Sequence, residues 1–205
     1  MKTSPPLTAA PALTASALAA AAGDVSDLIA RIRSTDDKVR GPAWQGAAAY
    51  GAAAVKPLAA VMTDSDFEIA RAATRGLWKI VRQAGRPGAD AERQAVAREL
   101  IGLLATAAAP VCREAVWMLS EIGDEPAVGP IAAQLAKAEV REAARCALER
   151  LPHPAAVSAL RAALATAPEE FKYALAHSLR VRGEKVEGYP SQKLVPTKQT
   201  SVKAE

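Results

Sequence analysis

Val140-Arg141-Glu142-Ala143-Ala144-Arg145-Cys146-Ala147-Leu148 opens on a β-branched residue, with Ala at the fifth place and Leu four residues further on. At 3.6 residues per turn, Val140, Ala144 and Leu148 share one face of a helix. The same phrase returns along the chain. Its opening, fifth and ninth places are Val39, Ala43 and Ala47, then Ile69, Ala73 and Leu77, then Val111, Ala115 and Leu119, and last Phe171, Leu175 and Leu179. The starts at 39, 69, 111, 140 and 171 set a period of about 30 residues with one longer interval, the signature of stacked supersecondary units.

Each phrase is preceded by a second apolar-periodic stretch. These carry Leu28, Ile29 and Ile32; Val55, Leu58, Val61 and Met62; Val96, Leu100, Leu103 and Leu104; Val128, Ile131 and Leu135; and Val157, Leu160 and Leu164. Two helices per unit predict an all-α fold, a right-handed α-α superhelix (α-solenoid) of about five helix pairs. Asp24 or Ser26, Thr35-Asp36-Asp37 and Thr63-Asp64-Ser65-Asp66 supply turns and caps. Pro126, Pro154 and Pro168 stand near first turns, where a missing N–H costs little. The helix carrying Val39 and Ala43 is expected to reach Tyr50 and stop at Gly51. The long interval is assigned to a connection around Gly85–Ala89 and a longer first helix, Asp90–Ala105.

Half of the residues are hydrophobic but only 4% are aromatic, so Ala, a strong helix former, supplies much of the apolar content. No stretch has the roughly 18 consecutive apolar residues of a membrane span, so no membrane partner is expected. The net charge of +4 comes from 26 basic residues interleaved with 22 acidic ones, which reads as a mixed solvated surface. Cys112 and Cys146 lie in different helices without metal-ligand spacing. As small buried thiols they point to a reducing, cytoplasmic setting.

Three segments follow. Residues 1–23 are a low-complexity leader rich in Ala, Thr, Ser and Pro, read as disordered or a frayed helix; export is the alternative if residues 1–22 are a signal peptide. Residues 24–183 form the repeat domain. Residues 184–205 are an extended tail, with Pro190, Pro196 and few large apolar residues.

The units resemble HEAT repeats, an armadillo-like class of α-solenoid, and in particular the short repeats of phycocyanobilin-lyase-type proteins. The matching residues are Asp37-Lys38-Val39-Arg40, Val140-Arg141-Glu142-Ala143-Ala144, and Val111 through Leu119, Ile122 and Gly123. Units two and three depart from the pattern by placing the basic residue one position later, at Arg71 and Arg113. The resemblance implies a repeat-protein scaffold whose second helices line the concave face. Asp37 and Asp66 in the turns, with Arg40 and Arg141 at the starts of second helices, read as a capping and ion-pairing ladder between units.

No catalytic constellation is visible. His153 and His177 lack partners at metal spacing. The His-Glu dipeptides through which HEAT-type hydroxylases bind iron are absent, as are nucleophile-elbow, phosphate-loop and zinc-protease motifs. No enzyme activity, cofactor or metal is expected.

The units differ from one another at Trp44, Trp78 and Trp117 on second helices, at Arg75, Lys79 and Arg82 around Trp78, and at Arg145 and His177 in the same or nearly the same place as Arg75 further on. These eight are the candidate partner-binding residues of a basic, aromatic groove, with a solvated face as the plainer reading. The expected function is a non-catalytic scaffold for a protein or peptide partner. Nucleic-acid binding resembling HEAT-like DNA glycosylases is the second reading, although no Asp matches their Trp/Asp/Arg cleft. A bilin-lyase-like or chaperone role follows from the resemblance alone. The pattern carries no signal for oligomeric state.

Overall fold

The computed structural model describes residues 24–191, so the readings of the leader and of the tail beyond Ser191 lie outside the described residues. The described residues form five helix pairs and no strand. The first pair is α1 (Val25–Ile32) and α2 (Asp37–Gln45), and the second is α3 (Val55–Val61) and α4 (Phe67–Ala84). The third is α5 (Asp90–Thr106) and α6 (Ala109–Ile122), the fourth α7 (Glu125–Ala133) and α8 (Arg141–Arg150), and the fifth α9 (Pro154–Thr166) and α10 (Glu169–Val181). From the second unit on, each first helix packs on the first helix of the next unit, and every second helix packs on the second helix of the next. The result is a two-layered α-solenoid.

Helix starts follow from local chemistry. The Asp24, Asp36, Asp66 and Asp124 carboxylates each accept a backbone N–H in the first turn of the helix they precede. At Asp66 two donors are satisfied at once, Glu68 N at 2.8 Å and Ile69 N at 3.2 Å. The helix of unit one is capped by Asp36; Asp37 instead pairs with Arg40 of its own helix. The expected ladder between units is therefore only partly present. Arg40 bonds within unit one, to Asp37 and the Ser34 carbonyl, whereas Arg141 reaches Glu170 of the next unit at 3.5 Å.

The recurring phrase is the stacking surface. Ile69, Ala73 and Leu77, Val111, Ala115 and Leu119, Val140, Ala144 and Leu148, and Phe171, Leu175 and Leu179 are all buried in one continuous core. Each fully buried Leu contributes roughly 2 kcal/mol.

Unit one departs from the pattern. Val39 is 39% exposed while Arg40, at 6%, is buried in its place. Its second helix ends at Gln45, not near Gly51; a 3-10 stretch, Ala47–Ala54, follows and breaks at Gly51, where φ is 54°. Pro42 within α2 removes a backbone donor, and the small side chains beyond it pack against α4 in this tighter path.

At the other end α10 closes with Gly183 at φ 82°. Gly183 N donates to the Arg180 carbonyl and Glu184 N to the Leu179 carbonyl, the paired bonds of a Schellman ending. The chain then folds back on the helix. The Arg180 guanidinium donates to the carbonyls of Val186, Gly188 and Tyr189, and the Tyr189 ring meets Tyr173 edge-on at 5.3 Å.

Candidate partner-binding face

Helix α4 carries the best-formed group of candidate residues. Counting 100° per residue, Phe67, Arg71, Arg75, Trp78, Lys79 and Arg82 fall within an arc of about 120°, while Ile69, Ala73, Leu77 and Ile80 face the core. Asp66 fixes the start of the helix and thus the direction of the stripe. The Arg75 guanidinium lies 5.3 Å from the centre of the Trp44 ring, and the Lys79 ammonium lies 5.9 Å from the same ring. Arg82 stands 5.6 Å from the Trp78 ring. Such pairs are worth about 0.5–1 kcal/mol each when exposed. They also hold long side chains in place.

Trp78 is anchored from the other side, its indole N–H donating to Glu114 of α6 at 3.0 Å. Beyond it a cleft of about 510 Å³ opens between α4 and α6, lined by Trp78, Val81, Arg82, Gly85, Glu121 and Ile122. The Gly85–Ala89 connection is stapled by Arg86, which donates two bonds to the Glu92 carboxylate at 2.6 and 2.7 Å and a third to the Gln83 carbonyl. Arg86 holds the Glu92 carboxyl below its ordinary pKa, chiefly through this hydrogen bonding. Among the described residues, Arg75, Lys79 and Arg82 have no carboxylate partner, whereas Arg71 pairs with Glu68 at 2.6 Å.

The other candidates do not join this group. Arg145 is turned into the array: it pairs with Glu142 at 2.9 Å and Glu149 at 3.1 Å, and donates to Ser178 Oγ at 2.6 Å. Ser178, fully buried, donates in turn to Glu149 at 2.7 Å. This is a neutralised link between α8 and α10. Trp117 is half-buried and packs on the core, and His177 is exposed on α10. Sequence reading missed Phe67, 71% exposed beneath Arg71, and it missed Glu114 and Glu121. Phe67 had a signal, an aromatic residue just ahead of Ile69 and outside the stacking phrase. The Glu114 contact spans 36 positions and had none.

Burial raises the Cys112 and Cys146 thiols above their ordinary pKa, which keeps them protonated and weakly nucleophilic. Among the described residues no group of three or more His, Cys, Asp or Glu side chains is placed to hold a metal ion, and no helix is long and apolar enough to cross a membrane.

Residues 140–166, which span α8 and α9, match the family model described as PBS lyase HEAT-like repeat. Over that stretch, which opens on the clearest copy of the recurring phrase, the chain is similar to a HEAT-like repeat. No curated protein matches the chain. Among solved structures it is similar to an engineered protein from the Northeast Structural Genomics Consortium, with 23% identity, a TM-score of 0.41, and 85% of this chain and 87% of the other covered. It is also similar to a designed armadillo repeat protein in complex with the peptide (KR)4, with 21% identity, a TM-score of 0.43, and 77% and 81% covered.

Proposed function

We propose that this chain is a non-catalytic interaction scaffold that holds a protein segment against the face of its second helices. The observation that carries the reading is the group on α4. Three cations of α4 without carboxylate partners among the described residues are held against two indole rings, Trp44 of α2 and Trp78 of α4, and the row ends at an open cleft, on a helix whose other face is committed to the core. Rigid aromatic and Arg side chains next to a recess are the usual anchors of protein recognition. Thiols held above their ordinary pKa, Cys112 buried and Cys146 half-buried, support a scaffold and not a nucleophilic enzyme, and two free cysteines support a reducing compartment such as the cytoplasm.

A protein partner is favoured over nucleic acid by the neighbouring carboxylates. Glu114 and Glu121 stand on the helix next to α4, and Arg145 is neutralised within the array, so carboxylates interrupt the basic row along the second helices. A phosphate backbone needs a longer basic track.

The test is photo-crosslinking in extracts of the native source, with a photoreactive residue at Arg75 or, as control, at the exposed Arg98 on the first-helix layer. A discrete protein adduct from position 75 and none from 98 is expected. Equal labelling from both, or none from position 75, would remove the proposal.

A further inference from the structure

We infer that the α4 stripe recognises a short acidic peptide segment, with Arg75, Lys79 and Arg82 receiving its carboxylates and the cleft below Trp78 receiving an apolar side chain that follows them. The inference rests on the scaffold reading and assigns its partner class.

The argument begins with charge. Arg71 is already paired with Glu68, but the next three cations on the stripe have no carboxylate among the described residues. They are not free to spread, because Arg75 and Lys79 share the Trp44 ring and Arg82 rests on Trp78. Three like charges held on one helix repel one another and favour an anionic occupant.

Spacing comes next. Arg75 and Lys79 are about 6 Å apart along the helix axis, and Arg75 and Arg82 about 10 Å. Side chains on one face of an extended peptide recur at about 6.7 Å. Carboxylates two residues apart therefore meet Arg75 and Lys79, and the chain then reaches Arg82 and the mouth of the cleft. There Val81, Ile122 and the flat edge of Trp78 offer apolar contact.

Glu114 and Glu121 bound the stripe on the α6 side, so the anionic run is short and ends where the apolar residue begins. The chain's own ends are poor occupants by composition. Residues 1–23 contain no Asp or Glu, and residues 192–205 contain three Lys against Glu205 alone. The occupant is a separate, acidic polypeptide.

The experiment is fluorescence anisotropy of the full chain with three labelled probes: a peptide containing Glu-Ser-Glu-Ser-Leu, its Gln-Ser-Gln-Ser-Leu counterpart, and a thymidine oligonucleotide of equal charge. Binding of the Glu peptide is expected, with the Gln peptide at least tenfold weaker and the oligonucleotide weaker than the Glu peptide. Arg75→Glu with Arg82→Glu, both at exposed positions, should weaken the Glu peptide at least tenfold while the circular dichroism spectrum stays unchanged and the chain still unfolds cooperatively. Lys79→Gln, which adds no negative charge, should weaken it several-fold. Equal affinity for the Glu and Gln peptides, tighter oligonucleotide binding, no Glu-peptide binding, or indifference to the substitutions would each overturn the assignment. If crosslinking from Arg75 captures a protein while the Glu peptide fails, the scaffold stands and the acidic partner falls.

Discussion

The indole N–H of Trp78 on α4 donates to the Glu114 carboxylate on α6 across 3.0 Å, tying the second unit to the third beside the cleft that separates them. One hydrogen bond thus sets both the ring that carries Arg82 and the width of the recess. Trp78→Phe keeps most of the ring and removes the donor. It should cost about 1 kcal/mol in urea unfolding, the scale of a half-exposed bond to a charged group. A double-mutant cycle with Glu114→Ala should give a coupling of about 1 kcal/mol. Additive effects would mean that the two side chains do not hold the units together.

Arg145 and Arg75 stand one place apart in their repeats, and they should respond oppositely to truncation. Arg145→Ala leaves the buried Ser178 Oγ without its donor and Glu149 without its cation, and should cost about 2–3 kcal/mol. Lys should not restore it, because one ammonium cannot serve Glu142, Glu149 and Ser178 together. Arg75→Ala removes an exposed side chain and should stay within about 0.5 kcal/mol. Equal losses in chemical denaturation would place Arg145 back on the binding face.

That contrast shows how much of the molecule was legible in the sequence. The stacking phrase was readable because burial repeats with the helical period, and every opener from Ile69 onward is buried. It misled at Val39. Among the described residues no unit precedes α1 and α2, and α2 is short, with Pro42 inside it, so its opener lies open while Arg40 turns inward. The fate of the two arginines was also written locally. Arg75 has Arg71 and Lys79 at four residues either side, whereas Arg145 has Glu142 three before and Glu149 four after, at ion-pairing distance on one helix. The Trp44 stacking and the Trp78–Glu114 bond join different units, and no periodicity encodes which side chains meet across them.

Gly123 reads in the sequence as a helix end, but the structure assigns it a steric role. A Cβ there would lie 2.4 Å from the Leu119 carbonyl oxygen and 3.2 Å from Ala127. The carbonyl is backbone and cannot swing aside. Gly123→Ala should therefore displace the α6–α7 junction and cost about 1–3 kcal/mol, whereas a neutral effect in thermal unfolding would refute the close approach.

The Arg86–Glu92 staple makes part of the stability depend on pH. Glu92 titrates below its ordinary value in the folded chain, because Arg86 hydrogen-bonds the charged form. Its contribution is therefore complete above the ordinary carboxylate pKa of about 4.3 and is lost as pH falls through the lowered folded value. At neutral pH, Glu92→Gln should unfold at lower urea than the parent chain. The gap between the two midpoints should close as the solution is acidified below that range. A gap that persists unchanged in acid would mean that the staple is not an ion pair.

Arg180 should decide whether the chain after α10 stays on the array. Its guanidinium serves three backbone carbonyls, at 2.8 Å for Tyr189, 3.2 Å for Val186 and 2.6 Å for Gly188, and Arg161 adds an ion pair to Glu184. Tyr189 in turn lies against Tyr173 and under Lys172 at 5.8 Å, covering part of the last helix. With these contacts the bond after Lys185 should resist trypsin for as long as the fold survives. Arg180→Ala withdraws every donor to those carbonyls at once, so cleavage after Lys185 should become fast while cleavage within residues 24–183 stays slow. Amide exchange at Glu184 should stay slow in the variant, because its N–H bonds to the Leu179 carbonyl independently of Arg180. Rapid cleavage after Lys185 in the parent chain would show that the segment is not packed, whatever the substitution does.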